Sequence, residues 1–151
     1  MNSKIDYQKI ESSKTRAYLN LHSLANTEDL KTVIPMCYVE ENHDHFRLHS
    51  KSYHVPFSRD QVWKAYTEIP PSKAWSGRRI KFSFSYDLFT NKLNYLMDKY
   101  EGLDEGQLIF LEIRAALGLI KLAVTHQVNK LDKPNYAFKF CYVEGGKSAG
   151  S

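Results

Sequence analysis

Polar side chains that interrupt apolar strands are where chemistry would reside in this chain. Residues 119–131 alternate, so that Ile120, Leu122, Val124, His126 and Val128 share a face. The His126 imidazole therefore breaks an apolar surface. A buried ring nitrogen needs a partner or a cavity, and a bond to a neighbouring backbone group or hydroxyl in a filled core is the plainer way to supply one. Glu112 interrupts a second apolar run, 107–113, beside Leu108 and Phe110. If Glu112 met His126, each would shift the other's pKa and the couple could exchange protons with a substrate. Arg114, near the strand end, is an alternative partner for Glu112, and a solvent-facing strand face is an alternative setting for both residues. His126 and Glu112 are the candidate catalytic residues.

His43, His45, His49 and His54 cluster in the polar stretch ENHDHFRLHSKSYH. The spacing of His43 and His45 would put both rings on one face of a strand, as in some metal sites. No cysteine or carboxylate spacing completes a ligand set, so these are read as solvated histidines and no metal is expected. The chain contains no G-x-S-x-G, P-loop or G-x-G-x-x-G pattern, so no cofactor is expected. Gly145-Gly146-Lys147-Ser148 has the end of a phosphate loop but neither its upstream glycine nor a following helix.

Aromatic residues supply a second kind of site. Phe82, Phe84 and Tyr86 recur at every second position, as do Tyr136, Phe138, Phe140 and Tyr142. Such rows are foremost core, and on a curved sheet they also line a pocket for an apolar or ring-containing ligand. The stretch WSGRRIK at 75–81 is basic and aromatic. It could touch an anionic head group or nucleic acid, although cations at a strand start are more often a solvated face.

The elements that would position these residues read as follows. A helix is predicted over 13–25 and a short acidic turn follows Thr27. Residues 33–39 suggest a short strand interrupted by Pro35, and 46–55 a strand by alternation. Ser58 caps a helix over 59–67, with Gln61 at the capping-box position and Val62, Trp63 and Tyr66 on one side. Pro70-Pro71 stops it, and Ser72 could cap one more turn to Trp75. Residues 79–86 form the clearest strand, with one face apolar and one toward water. Residues 89–100 fit an amphipathic helix or an ordered loop. Strands are predicted over 107–113, 119–131 and 136–143, the last two joined by a turn at 132–135.

At 151 residues the chain fits a single domain. A net charge of +4 and a pI near 9.0 fall short of a nucleic-acid footprint, so no nucleic-acid partner is expected. No apolar run approaches the ~20 residues a membrane span needs, and the N-terminus lacks the apolar segment of a signal peptide. Cys37 and Cys141 could form one disulfide, but two free thiols in a reducing compartment is the plainer reading, which makes a cytoplasmic location the expectation.

The segment HVPFSRDQVWKAYTEIPPSKAW resembles the START-like (SRPBCC, helix-grip, polyketide cyclase-like) superfamily. There a strand leads through Pro-x-Ser to a helix beginning its packing at Val-Trp, here Val62-Trp63, and a tryptophan closes a second helix, here Trp75. The resemblance covers residues 49–143. It implies an α+β fold in which a curved antiparallel sheet wraps short helices. The domain would span 31–151, with residues 1–30 as an added helical extension. The implied function is binding of a small apolar or aromatic ligand between sheet and helices. Trp63 and Tyr66 would line that cavity from the helix, and Phe82, Phe84, Tyr86, Phe110, His126, Phe138 and Phe140 from the sheet. A cyclase- or hydrolase-type enzyme using His126 and Glu112 is the alternative on the same scaffold. The family's long C-terminal helix and last strands have no counterpart here, so truncation is expected. An open sheet edge after Tyr142 would then suit a homodimer or another interaction partner.

Overall fold

Alternating branched and aromatic residues extend the chain into strands, and the computed structural model, which describes residues 2–143, gathers them into one six-stranded antiparallel open sheet. The strands are β1 (Pro35–Met36), β2 (Ile80–Asp87), β3 (Leu93–Tyr95), β4 (Gln107–Ala115), β5 (Ile120–Asp132) and β6 (Ala137–Val143), in the spatial order β1-β6-β5-β4-β2-β3. Helices α1 (Ser13–Leu21), α2 (Thr27–Leu30), α3 (Arg59–Glu68) and α4 (Pro71–Ala74) are short. The class is α+β, as expected. The Gly145-Gly146-Lys147-Ser148 stretch lies outside the described residues.

The two sheet faces carry different layers. On one, Phe84, Tyr86, Leu108 and Phe110 pack with Ile5, Ile10, Tyr18, Leu19, Leu24 and Leu30 in a single core. Ser12 caps α1 by accepting from the Thr15 amide, and α1 places Tyr18 with its ring centroid 6.4 Å from that of Phe110. The Asp6 amide donates to the Tyr95 hydroxyl at 2.8 Å, and Ile5 and Ala25 are joined by a backbone hydrogen bond. Residues 2–30 thus share the sheet's main core. Each fully buried leucine or isoleucine in it stabilises the fold by about 1.5–3 kcal/mol relative to exposure.

On the opposite face Phe82, Leu103, Ile109, Leu111 and Val128 form a second cluster against Trp75, Leu96 and Leu131. The Trp75 ring stacks on Phe82 at 6.1 Å, which seats the end of α4 on the sheet. The α3 helix has the capping box read from Ser58 and Gln61, and its buried Trp63 packs against Tyr136 and Phe138. Both helices therefore lie on this second face.

Five sequence expectations give way. Residues 46–55 alternate but join no ladder and are exposed throughout, because alternation alone supplies no partner strand. The 33–39 run shortens to Pro35–Met36. In β2 the serines are as buried as the aromatics, Ser83 and Ser85 being 2% and 1% exposed. The face expected toward water is covered, and Ser83 meets Thr15 of α1 hydroxyl to hydroxyl at 2.8 Å. Finally, Cys37 and Cys141 are joined in a disulfide, their Cα atoms 5.0 Å apart. Pairing of β1 with the end of β6, Met36 opposite Tyr142, brings them together. Disulfides persist in oxidising surroundings, so the bond runs against the reducing-compartment expectation. Residues 89–100 hold the short strand β3 in place of an amphipathic helix.

Candidate functional site

A groove of 680 Å³ opens between α3, the segment before it and the β5–β6 turn. Trp63, Tyr66 and Val62 reach it from one side of α3, as the helical spacing predicts. Tyr136 and Phe138 enter from the turn and from β6, while Tyr53, His54, Val55 and Phe57 form the remaining wall. Arg59 places a cation at the rim. The turn is held by its own polar bonds: Asp132 accepts from the Asn135 amide, and Tyr136 adopts the left-handed conformation with φ 50°. The Tyr136 hydroxyl donates to Asp60 at 2.7 Å, fastening the turn to the first turn of α3.

The rings form a connected series that leaves the groove along β6. Tyr66 and Phe138 centroids are 5.7 Å apart, and Phe138 meets Phe140 at 5.1 Å. His126 then stands 6.3 Å from Phe140 and 4.7 Å from Tyr142. His126 pairs with Tyr142 across β5–β6 and with Ile109 across β4–β5. Burial holds its pKa below the usual histidine value, so the imidazole is neutral near pH 7.

Glu112 stands elsewhere. It pairs with Ala123 in a register that runs unbroken to His126, three residues on, so the carboxylate and the imidazole project from opposite faces of the sheet. Glu112 is instead held by Ser12, whose hydroxyl donates to one carboxylate oxygen at 2.7 Å, and by Arg114, whose Nε donates to the other at 2.6 Å. Burial pushes the Glu112 carboxyl up, but the Ser12 and Arg114 bonds and the charges of Arg114 and Lys121 outweigh it and hold it below the ordinary carboxylate range. The group is a fixed anion tying the N-cap of α1 to β4. The expected proton-exchanging couple does not form, since the sheet separates its members.

Of the residues expected to line a ligand cavity, Trp63, Tyr66 and Phe138 come together in the groove. Phe140 and His126 continue the same face. Phe84, Tyr86 and Phe110 lie on the other face as filled core, the Phe84 and Phe110 rings stacked at 4.2 Å. Phe82 is packed under Trp75. Alternation groups Phe82, Phe84 and Tyr86 together, but a register shift between Phe82 and Phe84 sends Phe82 to the opposite face. Tyr53, Val55, Phe57 and Arg59 were not foreseen as lining. Their signal was the concentration of rings around Pro56 in a segment without a strand partner.

The histidines at 43, 45, 49 and 54 are all exposed. His43 touches its own loop, through the Glu40 carbonyl and Asp44, each at 2.9 Å. Among the described residues no helix is long and apolar enough to cross a membrane. Comparison with family models, curated proteins and solved structures finds no match to this chain.

Proposed function

We propose that the α3–β6 groove binds a small apolar or ring-containing ligand, in a domain of the START-like, helix-grip type. The observation that carries the reading is the lining itself: Trp63, Tyr66, Tyr136, Phe138, Tyr53 and Phe57 converge on one opening. Aromatic walls offer large contact area with few rotatable bonds to immobilise. Arg59 at the rim suits a ligand with a partial or full negative charge. The placement of α3 and α4 on one face of an antiparallel sheet agrees with the helix-grip arrangement. The neutral, half-buried His126 extends the aromatic series and can donate or accept one hydrogen bond to a ligand reaching along β6.

Binding is favoured over catalysis because Glu112 and His126 occupy opposite faces. Titration with a fluorescent apolar dye, in the parent chain and in Tyr66→Ala, tests the reading. Tyr66 is exposed at 63%, so its truncation leaves the core intact.

A further inference from the structure

The β4–β5 hairpin ends in an apolar tip. Leu117 is fully exposed at 100%, Leu119 is 88% exposed and Ile120 50%. Ala116 and Leu117 both have positive φ, 47° and 59°, and Gly118 follows at 93°, so the backbone turns sharply and drives the Leu117 side chain outward. Exposed leucines at such a strained turn gain nothing from the fold itself.

Cations surround the tip. Arg78, Arg79 and Arg114 line the 590 Å³ depression beside residues 115–118. The Arg114 amide donates to the Arg79 carbonyl at 2.7 Å, which fixes the Arg78-Arg79 strand entry against the hairpin. Lys121 stands opposite Arg114 in the ladder, and Lys81 opposite Glu112. Among the described residues the carboxylates beside these cations are Glu112, engaged by Arg114, and Glu11. Among the described residues Arg78, Arg79, Lys81 and Lys121 form no ion pair.

We infer that the hairpin tip docks this protein on an anionic phospholipid surface, Leu117, Leu119 and Ile120 entering the headgroup–acyl boundary while Arg78, Arg79 and Lys121 meet the phosphates. A protruding tip with a cationic collar has the shape and charge that a flat, negative, apolar-cored surface accepts. Nucleic acid would use the cations but leave the leucines in water. A protein partner would need a hollow for the tip, and nothing about it requires the surrounding charge. The inference does not depend on the groove, which lies between α3 and the opposite, β5–β6 end of β5.

The test is co-sedimentation of the full chain with vesicles of phosphatidylcholine alone or doped with phosphatidylserine, at low and high salt. The parent chain partitions onto the doped vesicles at least ~10-fold more than onto neutral ones, and high salt releases it. Leu117→Asn with Leu119→Ser, in which Asn tolerates the positive φ, lowers partitioning ~10-fold or more at an unchanged melting temperature. Arg78→Gln with Arg79→Gln does the same. Failure to bind doped vesicles, binding indifferent to either variant, or salt-sensitive binding to nucleic acid in place of vesicles that survives loss of the leucines would overturn the inference. So would self-association without lipid that the leucine variant abolishes.

Discussion

Tyr136 donates its hydroxyl to Asp60 across 2.7 Å, joining two residues 76 positions apart at the mouth of the groove. Asp60 accepts in the first turn of α3, while Tyr136 sits in the left-handed conformation that ends the β5–β6 turn. The bond also pushes the Tyr136 phenol pKa above its usual value, chiefly because the hydrogen bond to Asp60 favours the neutral form. Tyr136→Phe keeps the ring and removes the tether. Because the pair is exposed, the expected loss of stability is small. Ligand or dye affinity should fall by a larger proportion, since one wall of the groove loses its fixed distance from α3. Urea denaturation and dye titration of the same variant separate the two effects.

The disulfide between Cys37 and Cys141 closes a long loop, its ends 104 residues apart in sequence. Replacing both cysteines by serine, or reducing the bond, should destabilise the fold by about 2–5 kcal/mol. The lost constraint lies between β1 and β6, so amide exchange should rise first near Met36 and Tyr142. Denaturation with and without reductant measures the stability change. Unchanged midpoints would mean that the bond does not contribute.

Glu112 should shape the acid limb of stability. Its folded pKa lies below the ordinary value, so its contribution is fully present above the unfolded carboxylate pKa of about 4.3 and is lost as pH falls through the folded pKa. Glu112→Gln retains the shape and removes the charge that Ser12 and Arg114 hold. A loss of about 1–3 kcal/mol at neutral pH is expected, with a shallower decline below pH about 4 than in the parent chain. Denaturant midpoints across pH test this.

His126 should act in a different window. Its folded pKa is depressed by burial, so the neutral form is favoured in the folded state. Stability is full above the unfolded histidine value of about 6.5 and declines as pH falls toward the folded pKa. The residues across from it on the neighbouring strands are Ile109 and Tyr142. His126→Phe should remove that slope while keeping an aromatic side chain among Phe140 and Tyr142. A slope that survives the substitution would assign it to another histidine.

Much of this architecture was written locally in the chain. Ser58 and Gln61 marked the start of α3 because a capping box is a contact between near neighbours. Residues 107–143 announced three strands because alternation and the Asp132–Asn135 turn are local signals too. What failed was long-range. Phe46 to Val55 has the right period but no strand beside it. Ser83 and Ser85 look solvent-facing until α1, whose Thr15 lies 68 residues before Ser83, covers one of them. Glu112 and His126 stand on neighbouring strands, and only the register reveals that the sheet lies between them. Cys37 meets Cys141 only because a two-residue strand pairs with the end of β6. The groove was half legible: Trp63, Tyr66 and Phe138 were foreseen, whereas Tyr53 and Phe57 belong to an irregular segment whose path no periodicity describes.

The measurement that bears most directly on the groove as a ligand site is equilibrium titration of the parent chain with an anionic apolar dye such as anilinonaphthalene sulfonate, repeated with Tyr66→Ala and with Phe84→Leu. Tyr66 lines the groove, while Phe84 belongs to the filled core on the other face. The account predicts saturable binding at one site, weakened about 10-fold by loss of the Tyr66 ring, an effect of about 1.4 kcal/mol, and unaffected by the core substitution in molecules that remain folded. No saturable binding, or binding equal in Tyr66→Ala and the parent chain, would contradict it.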